Sequence, residues 1–150
     1  MRRSIRRVLA MPGAERRLLI EAVLALALAR LALAALPFRV AMRWHGLRLD
    51  LPPETAGRDD GAEARLIGRA VARAARRLPL RAVCLQQAVA ASSMLRRRGL
   101  PVEIHFGLAR SKEGELTAHA WCSSAEVAVT GAAEADEYTQ VAIYRSPSRC

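Results

Sequence analysis

At 150 residues, 52% apolar and 25% charged, the chain can bury one compact core, which excludes a disordered tail and leaves too little for two full domains. Aromatics make up only 4%, and an apolar set dominated by Ala and Leu suits close-packed helices beside a small sheet better than an all-β sandwich. The net charge of +10, carried by arginine at all but one basic position, favours an anionic partner, but six scattered aromatics make no platform for stacking nucleic-acid bases.

Residues 18–36, LLIEAVLALALARLALAAL, follow a stretch containing Arg2, Arg3, Arg6, Arg7, Arg16 and Arg17. A positive start before an apolar run resembles a signal peptide or a membrane anchor. Glu21 and Arg30 interrupt the run, and nine positions apart they fall on opposite helix faces, where they cannot neutralise each other. Ala and Leu are strong helix formers, so the segment is expected as an apolar helix buried against the domain or a partner. Contact with a membrane surface ranks second, and a cleaved signal third. Pro37 ends the helix.

Residues 38–50 show no single period, and LPPETAGRDDG (51–61) is a loop by composition. A clear amphipathic helix is predicted over 61–78. Asp60 and Glu63 have the spacing of a capping box, with Asp in place of Ser or Thr. Leu66, Ile67, Ala70, Val71, Ala74 and Leu78 form its apolar stripe, while Arg65, Arg69, Arg73 and Arg76 lie away from it. A third helix is predicted over 84–98, with Leu85, Ala88, Val89, Ser92 and Leu95 inward. Arg96, Arg97 and Arg98 close it, where the macrodipole favours positive charge, and Gly99 stops it.

PVEIHFGLAR (101–110) alternates as a half-buried strand does. SKEGE (111–115) reads as a turn, LTAHAWC (116–122) as the returning strand, and Ser123, Ser124 and Ala125 as a second turn before EVAVTG (126–131). The order is helices first, then a small antiparallel sheet. That is an α+β fold in one domain, 1–150.

Three cysteines with no CxxC spacing argue against a disulfide framework and suit a reducing cytoplasm. Three histidines without HxH or HxxxH spacing give no metal site, and no cofactor is expected. One chemical pairing stands out. Cys84 opens the third helix, where the dipole lowers a thiol pKa, and His119 follows 35 residues later on the second hairpin strand. Cys122 is three residues from His119, so the two side chains point to opposite strand faces, and Cys150 is terminal. Taken alone, a helix-start Cys is more often a small buried hydrophobe, and a strand His more often structural.

The local words add to this. CLQQAVAASSMLRRRG, PVEIHFGLAR, AHAW and VAVTGAAEADEYTQVAIY together resemble the transglutaminase-like leader peptidase of lasso-peptide biosynthesis, and the Leu/Ala-rich run from Glu21 through Pro37 and Phe38 resembles that family's N-terminal helix. The resemblance implies a transglutaminase-like (papain-like) cysteine protease fold. It implies a cytoplasmic hydrolase that removes the leader from a ribosomally made precursor peptide before a separate ATP-dependent lasso cyclase closes the macrolactam. In that scheme Cys84 attacks the scissile carbonyl and His119 shuttles the proton.

Two departures accompany the resemblance. The family's third catalytic member is an Asp about a dozen residues beyond the His, where this chain has Thr130 and Gly131. Thr130 or a backbone carbonyl near it is the expected substitute for orienting His119, with Glu126 second and Asp136 last. Fused relatives also carry a leader-recognition domain ahead of the protease, so a separate leader-recognition protein is the expected partner. The competing readings are a catalytically weakened transglutaminase-like scaffold that binds precursor and cyclase, and a basic protein peripheral to a membrane through its N-terminal helix.

Overall fold

A computed structural model describes residues 12–49, 51–52, 61–77 and 83–147. The loop expected over 51–61, its cap at Asp60, Leu78 and Cys150 lie wholly or mostly outside those residues. In chain order the elements are α1 (Gly13–Ala35), α2 (Phe38–Trp44), β1 (Arg48–Leu49), α3 (Gly61–Arg77) and α4 (Cys84–Arg97). Then come β2 (Glu103–Arg110), β3 (Leu116–Ser124), β4 (Val127–Thr130), a 3-10 helix (Ala132–Glu137) and β5 (Thr139–Arg145).

The helices pack through alanine. Ala22, Ala25 and Ala29 of α1 meet a core that includes Ala64, Ala70 and Ala74 of α3 and Ala88, Ala90 and Ala91 of α4. Small side chains let helix backbones approach closely, which is how a chain this poor in aromatics still fills its interior. The amphipathic stripe on α3 is buried at Ile67, Ala70, Val71 and Ala74, but Leu66 is 44% exposed. Gly68 takes its place in the contact, because a Cβ there would lie 2.3 Å from the Val129 carbonyl oxygen. That contact seats α3 against β4.

Helix α1 is two-sided. Leu19, Ala22, Ala25, Leu26, Ala29 and Ala32 are buried, while Ile20, Leu24, Leu28 and Leu31 form an exposed stripe on the other side. The expectation of a largely buried helix therefore holds for one face only. By length and mean hydropathy the helix could cross a membrane, and among the described residues it is the one that could.

Glu21 finds its counter-charge outside its own helix. Its carboxylate accepts two hydrogen bonds from Arg98, at 3.0 and 2.7 Å, and lies 3.1 Å from Arg97. Arg98 Nε also reaches Glu63 of α3 at 3.0 Å, and its Nη1 donates to the Met94 carbonyl. The arginines that close α4 thus join three helices, beyond any favourable placement against the helix dipole.

The sheet order is β1-β5-β2-β3-β4, antiparallel throughout. Strand β3 runs to Ser124, so the second turn is shorter than the sequence suggests and sits at Ala125 and Glu126. Four elements were not anticipated as such: the short helix α2, the two-residue β1, the 3-10 helix, and β5, which pairs with β2 on the side away from β3.

The Arg98 hydrogen bonds hold the Glu21 carboxyl below the usual carboxylate range, against a burial that pushes it the other way. Its contribution to stability is complete above about pH 4.5 and is lost as pH falls through the lowered value. Glu21→Gln should therefore cost about 1–2 kcal/mol in urea unfolding at pH 7 and progressively less toward pH 3. A loss that is the same at both pH values would show that the charge carries none of it.

Candidate active site

Cys84 is the first residue of α4, half-buried, with Val83 as an extended N-cap that makes no side-chain capping bond. Its backbone N–H is one of the donors that a helix start leaves unpaired. Cys122 faces the core and is fully buried; burial pushes its thiol far up, so it stays protonated.

His119 lies on β3 with its side chain 11% exposed. The ring is held on three sides. It stacks on Trp121 at a centroid distance of 6.0 Å and 20°, and meets Tyr138 at 5.0 Å. Its Nε2 donates a hydrogen bond of 2.7 Å to the Gly131 carbonyl. A carbonyl can only accept, so this bond assigns the ring proton to Nε2 and leaves the Nδ1 lone pair as the basic position. Trp121 is itself stacked between His119 and His105, the latter at 5.3 Å and 6°. His105 in turn bonds Gln140 and Ser123.

Glycine makes room for this row of rings. Gly107 pairs with His119 across the β2–β3 ladder, and a Cβ there would lie 2.7 Å from Tyr138 Cβ and 2.9 Å from Trp121 Cζ3. Gly131, at φ +69°, turns the chain out of β4 so that its carbonyl meets the imidazole. Trp121 is thus a wall of the His119 site, in contact on both ring faces.

Of the expected partners for His119, the one that meets the ring is a backbone carbonyl beside Thr130, that of Gly131. The Thr130 hydroxyl is buried without a hydrogen-bond partner, and Thr130 sits opposite Cys122 in the ladder. Glu126 is exposed in the turn before β4, and Asp136 is exposed on the 3-10 helix. The carboxylate near His119 is one the sequence reading passed over: Glu134 Oε2 lies 3.6 Å from Nε2. Its one sequence signal was its place three residues after Gly131, in a segment without strand alternation.

Cys84 and His119 are not joined by a hydrogen bond. Strand alternation gives a reason. Ala120 and Cys122 are buried on the helix-covered side of β3, which puts His119 and Trp121 on the opposite side. A separate pocket of about 220 Å³, lined by Ala25, Leu28, Trp44, His45, Ser93, Arg96 and Arg97, contains neither residue. Among the described residues, no group of three or more His, Cys, Asp or Glu side chains is placed to hold a metal ion.

Helices leading into an antiparallel sheet, with a cysteine opening the last helix and a histidine fixed on the middle hairpin, agree with what the profile of the transglutaminase-like superfamily matches over residues 32–143. The chain belongs to that superfamily. The matched family is the one characteristic of lasso-peptide maturation proteins, and it spans both Cys84 and His119. No curated protein and no solved structure matches the chain.

The thiols differ enough to be told apart chemically. Iodoacetamide added to the native protein should alkylate Cys84 and spare Cys122, and peptide mapping by mass spectrometry reads the sites. Equal labelling of Cys122 without denaturant would contradict its burial.

Proposed function

We propose that this chain serves lasso-peptide maturation as a transglutaminase-like protein that binds the precursor peptide and the cyclase, and that Cys84 and His119 form a weakened thiol–imidazole centre within it. The observation that carries the reading is the environment of His119. The imidazole is oriented by a neutral carbonyl where the family has an Asp, and no hydrogen bond links it to Cys84. In a Ser-His-Asp protease, loss of the orienting Asp costs about four orders of magnitude. A thiol site suffers less, because a thiolate–imidazolium pair forms without a strong external base.

The reaction suited to the centre is leader removal. His119 leaves β3 on the face away from the helices, so the step needs the bound precursor or a partner to bring ring and thiol together. Nδ1 of His119 then takes the Cys84 thiol proton as sulfur bonds to the scissile carbonyl carbon. It then returns that proton to the leaving amine, and water hydrolyses the thioester to free the enzyme. The backbone N–H at the start of α4 supports the oxyanion. A leader peptidase of full strength is the second reading. It is favoured by the Nε2–H bond to Gly131, which leaves Nδ1 bare and the ring fixed. On either reading the protein works in the reducing cytoplasm.

The exposed stripe of Ile20, Leu24, Leu28 and Leu31 on α1 is the surface offered to a separate leader-recognition protein or to a membrane. Tethering the precursor there raises the effective concentration of the scissile bond.

Incubation of a leader-bearing precursor with the purified protein, followed by mass spectrometry, tests the assignment. Slow cleavage should disappear in Cys84→Ala, while Cys122→Ala cleaves as before and Cys84→Ala still binds the precursor by fluorescence anisotropy. Rapid cleavage by the protein alone would favour the full peptidase. Cleavage that survives Cys84→Ala, or failure to bind the precursor, would overturn the proposal.

The α1 stripe makes a separate prediction. A leader-recognition protein should speed cleavage by about tenfold or more, and Leu24→Glu with Leu31→Glu should remove the acceleration but not the basal rate. Acceleration that survives the double substitution would place the docking surface elsewhere.

A further inference from the structure

We propose that Glu134 is the positioning carboxylate of the His119 site, supplied from the 3-10 helix in place of a side chain at the end of β4. The geometry first shows why position 131 does not carry one. A Cβ on Gly131 would point at the ring, 3.2 Å from His119 Nε2, but it would also lie 2.8 Å from the Ala120 carbonyl oxygen. At φ +69° any side chain there is strained as well. The chain therefore presents its backbone carbonyl to Nε2 and brings a carboxylate to the same nitrogen three residues later.

The two acceptors do different work. The Gly131 carbonyl at 2.7 Å is neutral and holds the neutral tautomer. Glu134 Oε2 at 3.6 Å is a charged group and is placed to pair with the ring when it is an imidazolium. The imidazolium is the form that must persist while the thiolate attacks. Glu134 is 60% exposed against 11% for His119, so the carboxylate stands at the water edge of an otherwise enclosed ring. Such a position makes the pairing sensitive to salt.

The groups that face His119 are few. Trp121 comes from its own strand, Tyr138 from the end of the 3-10 segment, and Glu134 from that segment's first turn. On β2 the residue opposite is Gly107, and His105 is stacked on Trp121. Among the described residues Glu134 is the charged group in contact with the ring. Its catalytic consequence rests on the Cys84–His119 reading above, but the pairing itself is read on His119.

NMR of the His119 ring signals across pH in wild type, Glu134→Gln and Glu134→Asp tests the pairing. The His119 ring signals should move in Glu134→Gln relative to wild type, because the carboxylate 3.6 Å from Nε2 loses its charge. Glu134→Asp should recover part of that shift, and high salt should shrink it in the wild type. An identical profile in wild type and Glu134→Gln would overturn the inference, whatever the protein does to a precursor. In leader cleavage, Glu134→Gln should lower kcat several-fold with little change in KM, and Glu134→Asp should restore part of it. A wild-type kcat in Glu134→Gln would overturn the positioning role. A wild type that leaves the precursor intact while the ring profile still responds to Glu134→Gln would count against the peptidase reading and leave the pairing standing.

Discussion

Arg98 is the junction on which the arrangement of helices depends. A planar guanidinium offers five donors in a fixed fork, and here four contacts use it: two to Glu21 on α1, one to Glu63 on α3, and one back to the Met94 carbonyl of α4. Each carboxylate sits on a different helix, so the cluster sets the register of all three at once. A lysine could meet one carboxylate as a point charge but could not span both. The cost of drawing these charges partly out of water is offset because every partner is satisfied.

The junction also determines where the chemistry can sit. Gly99 follows Arg98 immediately, at φ +74°, and the chain turns there toward β2. Fourteen residues of α4 run from that point back to Cys84, about 21 Å of rigid helix. The clamp at one end of the rod thus fixes the thiol at the other. The imidazole is positioned independently, by the sheet and by two glycines whose missing side chains leave room for Trp121, Tyr138 and the Gly131 carbonyl. Thiol and imidazole are therefore held by two parts of the fold that are built separately.

The arginine surplus divides into two populations. Arg96, Arg97 and Arg98 are drawn into contacts that organise the helices: Arg96 donates to the His45 carbonyl, and the other two hold Glu21. Arg17, Arg30, Arg39, Arg43, Arg65 and Arg69 remain on the surface. Arg17 and Arg30 share α1 with the exposed stripe of Ile20, Leu24, Leu28 and Leu31. Apolar side chains beside positive charge are suited to a partner or a surface with acidic character. The low aromatic content bears on this too. Alanine packing brings the helices together without the large side chains that would otherwise have covered the outer face of α1.

Local chemistry was legible from the residues alone. Helix periodicity placed α3 and α4 within a residue or so, Gly99 marked a stop, and alternation marked β2 and β3, because these features depend on neighbours three or four positions away at most. The joint spacing of Cys84, His119 and Trp121 pointed to a family because it is a long-range constraint written in residue types. Strand β5 was not legible, since TQVAIYR carries no clean alternation and takes its identity from lying between β1 and β2. Nor were the partner of Glu21, the exposed half of α1, or Glu134 beside His119; for the ring's orienter, a backbone carbonyl near Thr130 was expected only as one choice among several. A sequence gives the type of a side chain and its neighbours along the chain, but a backbone carbonyl has no residue type, and opposite charges 77 positions apart meet only when three helices pack. Which nitrogen of His119 holds the proton, and which carboxylate lies beside it, was decided by a left-handed turn at Gly131 and by the 3-10 helix that follows it.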